Sequence, residues 1–141
     1  MRKLLFTFAL FVLALTTLTS FTTRGTAVDQ KRYALYGVAF YNLENLFDTL
    51  HDAGKNDYEF LPNGTMKWGK MKYEAKLHNM SRVLSELCTE KLRSTGAAVI
   101  GVSEIENSNV LDDLLKQPSL AGRGYKYVNV SSYDRRGIEC A

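Results

Sequence analysis

Two short apolar runs, each ending in acidic or amide side chains, are the main feature of the hydrophobic and polar pattern along this chain. The first covers residues 38–42 and is followed by Glu44; the second covers residues 97–102 and is followed by Glu104 and Glu106. A continuous apolar run of this length is typical of a strand that is covered on both faces of a sheet. Carboxylates are rarely buried unless they are paired or bound to a metal. The acids that follow each predicted strand are therefore either solvated or part of a site.

The longest periodic stretch lies between these runs and predicts a helix over residues 70–93. Its apolar residues recur at three- and four-residue steps and are Met71, Ala75, Leu77, Met80, Val83, Leu84, Leu87 and Cys88. A shorter helix is predicted after the second apolar run, with Asn107 or Ser108 as its N-cap. Residues 125–130 and the segment from Ile138 onward have the pattern of strands. Residues 51–64 are rich in loop-forming residues, and we expect the lone tryptophan that closes this loop to pin it to the domain.

Length, charge and cysteine content narrow the function classes. With 141 residues and 45% hydrophobic content, the chain has one-domain length and enough apolar side chains for a core. Its formal net charge of +3 is too small to indicate nucleic-acid or membrane binding by itself. The basic residues of the long helix, including Lys76, are expected to face solvent. Two cysteines do not make a disulfide framework, and the position of Cys88 on the apolar stripe predicts a buried free thiol.

The first residues have the layout of an export signal. Two basic residues precede an apolar stretch at residues 4–15, and sequence rich in serine and threonine follows. This stretch is shorter than the roughly 20 residues that span a bilayer, although a retained membrane anchor is the alternative interpretation. We therefore predict a signal peptide over residues 1–27, cleaved after Ala27 or, as a second choice, after Ser20. The mature domain, residues 28–141, would be periplasmic or extracellular, without stable membrane association; no protein partner is inferred.

Several blocks of sequence, in order along the mature chain, carry a resemblance to a known family. They are F-Y-N-L-E-N-L-F-D at 40–48, N-D-Y-E-F-L-P at 56–62 followed by Trp68, Y-E-A-K-L at 73–77, E-I-E-N at 104–107 and D-R-R-G-I-E-C-A at 134–141. As a set they resemble the exported bacterial branch of the endonuclease/exonuclease/phosphatase superfamily, whose members are Mg²⁺-dependent phosphodiesterases and phosphomonoesterases. The resemblance implies an α/β fold, a four-layer β-sandwich flanked by helices (DNase I-like), of which this chain would be the N-terminal portion.

The resemblance also implies a metal site at one rim of that sandwich. Asn42 and Glu104 match the two N-terminal metal-site positions of the family, and Glu104 is the expected catalytic residue. The chemistry of these side chains gives an independent reason for Mg²⁺ (or Mn²⁺), because Mg²⁺ keeps waters and takes only one or two protein carboxylates. The substrate would be a phosphate ester, with nucleic acid as one candidate class.

Four further residues have two interpretations each. Glu44, Glu106 and Asn107 would either support the metal site through hydrogen bonds or cap local structure. Arg136 would either bind substrate phosphate or form a surface ion pair with Asp134. The residues alone do not decide between these roles.

The departures from the family pattern limit what this stretch could do by itself. The family's histidine base, its Asp-x-Asn pair and its closing Asp-His have no counterpart here, and His51 and His78 match no catalytic position. We therefore expect an N-terminal fragment of a hydrolase that is inactive when isolated. The alternative is a non-catalytic exported binding domain that retains the opening half of the fold.

Overall fold

The computed structural model describes residues 32–141. Nearly all of these residues belong to one compact unit, Ala34–Ala141. The predicted signal peptide at residues 1–27 and its cleavage site lie outside the described residues. Within residues 32–141, no helix is long and apolar enough to cross a membrane.

A three-stranded sheet forms the centre of the unit Ala34–Ala141. Its strands are β1 (Gly37–Leu46), β2 (Ala97–Ile105) and β3 (Glu139–Cys140), in the order β1-β2-β3. Strands β1 and β2 are parallel, whereas β3 is antiparallel to β2. The helices are α1 (Lys70–Glu86), α2 (Ser108–Leu115) and α3 (Pro118–Ala121), and a 3₁₀ turn covers Tyr58–Phe60. The α/β class is therefore confirmed. The strand predicted at residues 125–130 is wrong: this segment is irregular, and its backbone pairs with the described sheet only at a bridge from Val130 to Cys140.

The helices pack on one face of the sheet and form the core there. This core consists of Leu43, Leu46, Tyr73, Leu77, Leu84, Val102, Ile105, Val110, Leu111, Leu114 and Leu120. On the opposite face Val38, Phe40 and Val99 are exposed, because neighbouring residues of a strand point to opposite sides. The prediction that both strands are covered on both faces is therefore wrong for residues 32–141, which supply one sheet and the helices on one side of it.

Helix α1 is shorter than the periodicity predicts, and its buried side is rotated. It ends at Glu86, Leu87 is extended, and Cys88 has a left-handed backbone with φ of 63°. The turn brings the half-buried, free thiol of Cys88 against Gly37, where an added Cβ would lie 2.7 Å from the Cβ of Cys88. Cys88 is thus a turn residue and not part of a helical stripe. The buried residues of the helix are Tyr73, Leu77, Ser81 and Leu84, whereas Met71 is exposed.

The loop after β1 is held to the domain by aromatic packing, as predicted from its closing tryptophan. Trp68 Nε1 donates a hydrogen bond to the carbonyl oxygen of Phe47 at 2.8 Å. Phe47 stacks on Phe60 with ring centroids 4.2 Å apart, and Trp68 meets Phe60 edge-on at 6.4 Å. The buried Phe47 and Phe60 therefore fix both ends of the loop beside the carboxyl ends of β1 and β2.

Candidate metal-binding site at the carboxyl edge of the sheet

An irregularity in the pairing of β1 and β2 shapes the edge of the sheet. Asn42 pairs with Ser103 and Leu46 with Ile105, so β1 uses two more residues than β2 between these two points. The extra residues form a bulge in which Glu44 and Asn45 have positive φ values of 52° and 60°. Glu104, on the facing strand, also has a positive φ of 59°. Residues other than glycine seldom adopt this backbone, and such strain concentrates at functional sites.

The bulge brings together the two side chains for which a metal role is expected. Asn42 Nδ2 donates to Glu104 Oε1 at 2.8 Å, and the backbone N–H of Asn45 donates to Glu104 Oε2 at 3.1 Å. The amide oxygen of Asn42 accepts a hydrogen bond of 2.6 Å from the backbone N–H of Glu44. Both oxygens of the Glu104 carboxylate are therefore oriented by neutral donors.

The donor set of this site fits a hard divalent cation only in part. Glu104 is partly exposed and has no ion pair among the described residues, so its negative charge is available to a cation. Asn42 turns its N–H group toward Glu104, so its oxygen could join a shared cation only after the amide rotates. No group of three or more His, Cys, Asp or Glu side chains within residues 32–141 is arranged to hold a metal. Mg²⁺ binds through one or two protein carboxylates, waters and substrate phosphate, and residues 32–141 offer it one such carboxylate here, that of Glu104.

Lys76 of α1, expected on the solvent face, is half-buried beside the bulge. Its Nζ donates to the backbone carbonyl of Glu44 and lies 5.6 Å from the centre of the Trp68 ring. Burial lowers the pKa of Lys76, while the charges of Glu44 and Glu104 act in the opposite direction. The lysine thus ties α1 to the bulge and places a positive charge near Glu104. Its position in the Y-E-A-K-L block was the available signal.

Glu106 is placed differently from Glu104, although the two are separated by one residue. It is buried with 3% of its surface exposed, and its Oε2 accepts a 2.7 Å hydrogen bond from the backbone N–H of Asp48. No described residue offers a donor to its Oε1. Burial raises the pKa of Glu106 to about 8, and the negative charges of Asp48, Asp52 and Asp57 add to this effect, while the Asp48 hydrogen bond opposes it. Glu106 therefore joins the end of β2 to the loop after β1.

Asn107 both caps α2 and contacts the loop after β1. Its Oδ1 accepts hydrogen bonds from the backbone N–H groups of Asn109 at 2.9 Å and Val110 at 3.2 Å, so Asn107, and not Ser108, is the N-cap. Its Nδ2 donates to Asp52 Oδ2 at 3.0 Å. Asp52 is in turn joined to the buried Asp57, because its backbone N–H donates to Asp57 Oδ2 at 2.8 Å. One side chain thus fixes the start of a helix and the loop that flanks the site.

His51 belongs to the same network, although no motif identified it. Its Nδ1 is hydrogen-bonded to the carboxylate of Asp57, which is 1% exposed. Its ring stacks on Tyr58 with centroids 4.6 Å apart. A buried acid thereby orients a partly exposed imidazole next to an exposed tyrosine.

Arg136 lies in the loop that precedes β3 and pairs with Asp134, one of its two predicted roles. The guanidinium is 3.2 Å from Asp134 Oδ2, and this hydrogen bond is the main reason why the pKa of Asp134 falls below its usual value. Because Glu139 at the start of β3 pairs with Ile105 at the end of β2, this loop lies at the same edge of the sheet as Glu104. Among the described residues, no hydrogen bond joins Arg136 to Glu104.

Comparison with known protein families adds one finding to this geometry. A family model described as Endonuclease/Exonuclease/phosphatase family matches residues 37–141, from the first residue of β1 onward. The match covers more than half of the chain and includes Asn42, Glu104 and every other candidate site residue. No curated protein and no solved structure matches the chain significantly.

Proposed function

Because this chain belongs to the endonuclease/exonuclease/phosphatase family, we propose that it forms part of a Mg²⁺-dependent hydrolase of phosphate esters, of the phosphodiesterase or nuclease type. The observation that carries the proposal is the contact between Asn42 and Glu104 at the carboxyl ends of two parallel strands. An oriented carboxylate that forms no ion pair within residues 32–141 is suited to a metal ion that must also accept substrate oxygens. The family match supports the class of reaction, and the contact between Asn42 and Glu104 supports this position for the metal.

Glu104 is the residue that would hold Mg²⁺ or Mn²⁺, with Asn42 as its neighbour in the site. Bound there, the ion would offset the negative charge of the phosphoryl group and of the departing oxygen. The chain's own contribution is orientation: the N–H groups of Asn42 and Asn45 hold the two oxygens of Glu104 in place. Glu106 and Asn107 act behind this carboxylate by fixing the loop after β1 to the end of β2.

We further propose that the active site is completed by residues of a longer protein, folded as a four-layer sandwich. Two features of residues 32–141 support this. Glu104 is not joined there by two further side chains able to hold a metal, and an apolar face of the sheet with Val38, Phe40 and Val99 is uncovered. A second sheet packed on that face would remove these side chains from water. Export by the signal peptide at residues 1–27 is part of the same proposal and would place the enzyme in the periplasm or outside the cell.

The test is the hydrolysis of bis(4-nitrophenyl) phosphate by the full-length protein at increasing Mg²⁺ concentration. Glu104→Gln keeps the shape of the side chain and removes its charge, so we expect activity to fall by about 100-fold or more. Glu74→Gln is the matched control, since Glu74 is exposed on α1 and has only a surface ion pair with Lys70. Asn42→Ala should cause a smaller loss, because a neutral amide contributes less than a carboxylate.

Two results would contradict the proposal. Full activity of Glu104→Gln at unchanged Mg²⁺ dependence would remove Glu104 as a ligand. Absence of hydrolysis in the wild-type protein, together with Mg²⁺ binding that Glu104→Gln abolishes, would favour the alternative of a non-catalytic exported binding domain.

A further inference from the structure

A cleft of about 600 Å³ lies between the loop that follows β1 and the loop that precedes β3. One wall is built from residues 56–65 and the other from Arg136. The walls are joined by a hydrogen bond of 2.7 Å from the backbone N–H of Asn56 to the carbonyl oxygen of Arg135. The first wall is also tightly folded, since a Cβ on Gly64 would lie 2.1 Å from the carbonyl oxygen of Tyr58. The cleft is therefore a fixed part of the fold.

Tyr58 is held in an exposed position within this cleft. It begins the 3₁₀ turn Tyr58–Phe60, whose last residue is buried against Phe47. Its ring stacks on His51, and Asp57 holds that imidazole through Nδ1. Even so, Tyr58 remains 58% exposed. An aromatic ring that is fixed from behind and open to solvent is the arrangement on which nucleic-acid bases stack.

The polar groups around the Tyr58 ring suit the edge of a base and a phosphate. The side-chain amides of Asn56 and Asn63 carry both donors and acceptors, as the edge of a nucleobase does, and both residues line the cleft. The guanidinium of Arg136 is 54% exposed in its side chain and is bound to Asp134 through one nitrogen. Its remaining N–H groups can donate to a phosphate. The cleft thus combines a stacking surface and hydrogen-bonding amides with one cationic and one anionic side chain, those of Arg136 and Glu59.

We propose that this cleft binds the nucleobase of a nucleotidyl substrate, with the base stacked on Tyr58 and a phosphate directed toward Arg136. The inference rests on the proposed function and narrows its phosphate ester to a nucleotide or nucleic acid. A sugar phosphate or a lipid headgroup has no flat aromatic ring to stack on Tyr58 and could contact it only through C–H groups or a quaternary ammonium.

The position of the cleft relative to Glu104 supports a shared substrate. The walls come from the loops that leave β1 and enter β3, and both loops lie at the carboxyl end of β2. A chain of hydrogen bonds also runs from His51 through Asp57 and Asp52 to Asn107. The stacking partner of Tyr58 is thus connected to the segment that follows Glu104.

The test compares two ligands that differ only by the base. Adenosine 5′-monophosphate and ribose 5-phosphate are titrated into the full-length protein in the presence of EDTA, and binding is followed by calorimetry. We expect the nucleotide to bind more tightly, and Tyr58→Ala to weaken its binding by about 5- to 150-fold while ribose 5-phosphate is unaffected. Tyr58→Phe keeps the ring and should bind like the wild type. Tyr36→Ala is the matched control, because Tyr36 is also exposed (73%, against 58% for Tyr58) but precedes β1, at the amino end of that strand.

Equal affinity for the two ligands, or an unchanged ratio in Tyr58→Ala, would overturn the inference. Should Tyr58→Ala not fold, the same question is answered in the wild type, where a stacked base shifts the ring protons of Tyr58 in NMR spectra and their invariance would refute the proposal. Because EDTA removes metal, binding is measured independently of catalysis. Nucleotide binding without hydrolysis would therefore support the cleft and count against the proposed enzyme. Hydrolysis without base preference would support the enzyme and count against the cleft.

Discussion

Replacing Asn107 separates two contributions that one side chain makes to the candidate site. Its Oδ1 caps α2 through the N–H groups of Asn109 and Val110, and its Nδ2 donates to Asp52. Asn107→Ala removes both functions. Asn107→Ser keeps an oxygen that can cap the helix but has no side-chain amide N–H to donate to Asp52. Comparison of the two variants therefore isolates the contact with the loop after β1.

The expected magnitudes follow from the nature of each hydrogen bond. Loss of an N-cap costs about 1 kcal/mol, and loss of a partly buried hydrogen bond to a carboxylate costs about 1–2 kcal/mol. Asn107→Ala should therefore lower the free energy of unfolding by about 2–3 kcal/mol, and Asn107→Ser by about 1–2 kcal/mol. The cap affects the stability of the whole domain because the helix that it begins contributes three buried residues, Val110, Leu111 and Leu114.

Urea unfolding of the full-length protein measures these differences through the shift of the midpoint at constant m-value. Ser108→Ala is the control, since Ser108 is an exposed neighbour at the first position of α2 and its hydroxyl makes none of these hydrogen bonds. If Asn107→Ser is as unstable as Asn107→Ala, the cap contributes nothing and the reasoning fails. If Asn107→Ser matches the wild type, the bond to Asp52 contributes nothing.

Three further expectations concern the core, the isolated domain and the export signal. Tyr73 is buried and donates a hydrogen bond to Asp113, and burial together with the charge of Asp113 raises the pKa of Tyr73 above 10. The free energy of unfolding should therefore fall as pH rises above about 10. Tyr73→Phe should remove this pH dependence in urea titrations, at a cost of about 1 kcal/mol near neutral pH. Residues 28–141 alone should neither hydrolyse phosphodiesters nor unfold cooperatively as a monomer, because one face of the sheet is uncovered; a soluble, cooperative monomer in ultracentrifugation and urea unfolding would contradict this. Mass spectrometry of the exported protein should find Val28 at its N-terminus, and an intact Met1 would contradict the signal peptide.

The sequence by itself determined the elements whose stability depends on neighbours along the chain. The apolar runs predicted both main strands, and the three- and four-residue spacing predicted α1 from Lys70. The cap of α2 was narrowed to Asn107 or Ser108, because the partners of a cap lie only two and three residues away. Asn42 and Glu104, at the strand ends, were also evident, because polar side chains that end an apolar run stand out against their surroundings. These features are local, and local pattern is what periodicity and capping rules describe.

The tertiary structure alone decided what depends on residues far apart in sequence. Asn42 and Glu104 are separated by 62 residues and meet only because β1 bulges against β2. The same non-local packing ends α1 before Cys88, draws Lys76 toward the backbone of Glu44, and buries Glu106 while Glu104 stays partly exposed. Periodicity identifies which face of an element is apolar, but it contains no information about the partner against which that face packs. Since strand register, backbone reversals and burial are set by that partner, the geometry of the site was decided by the fold.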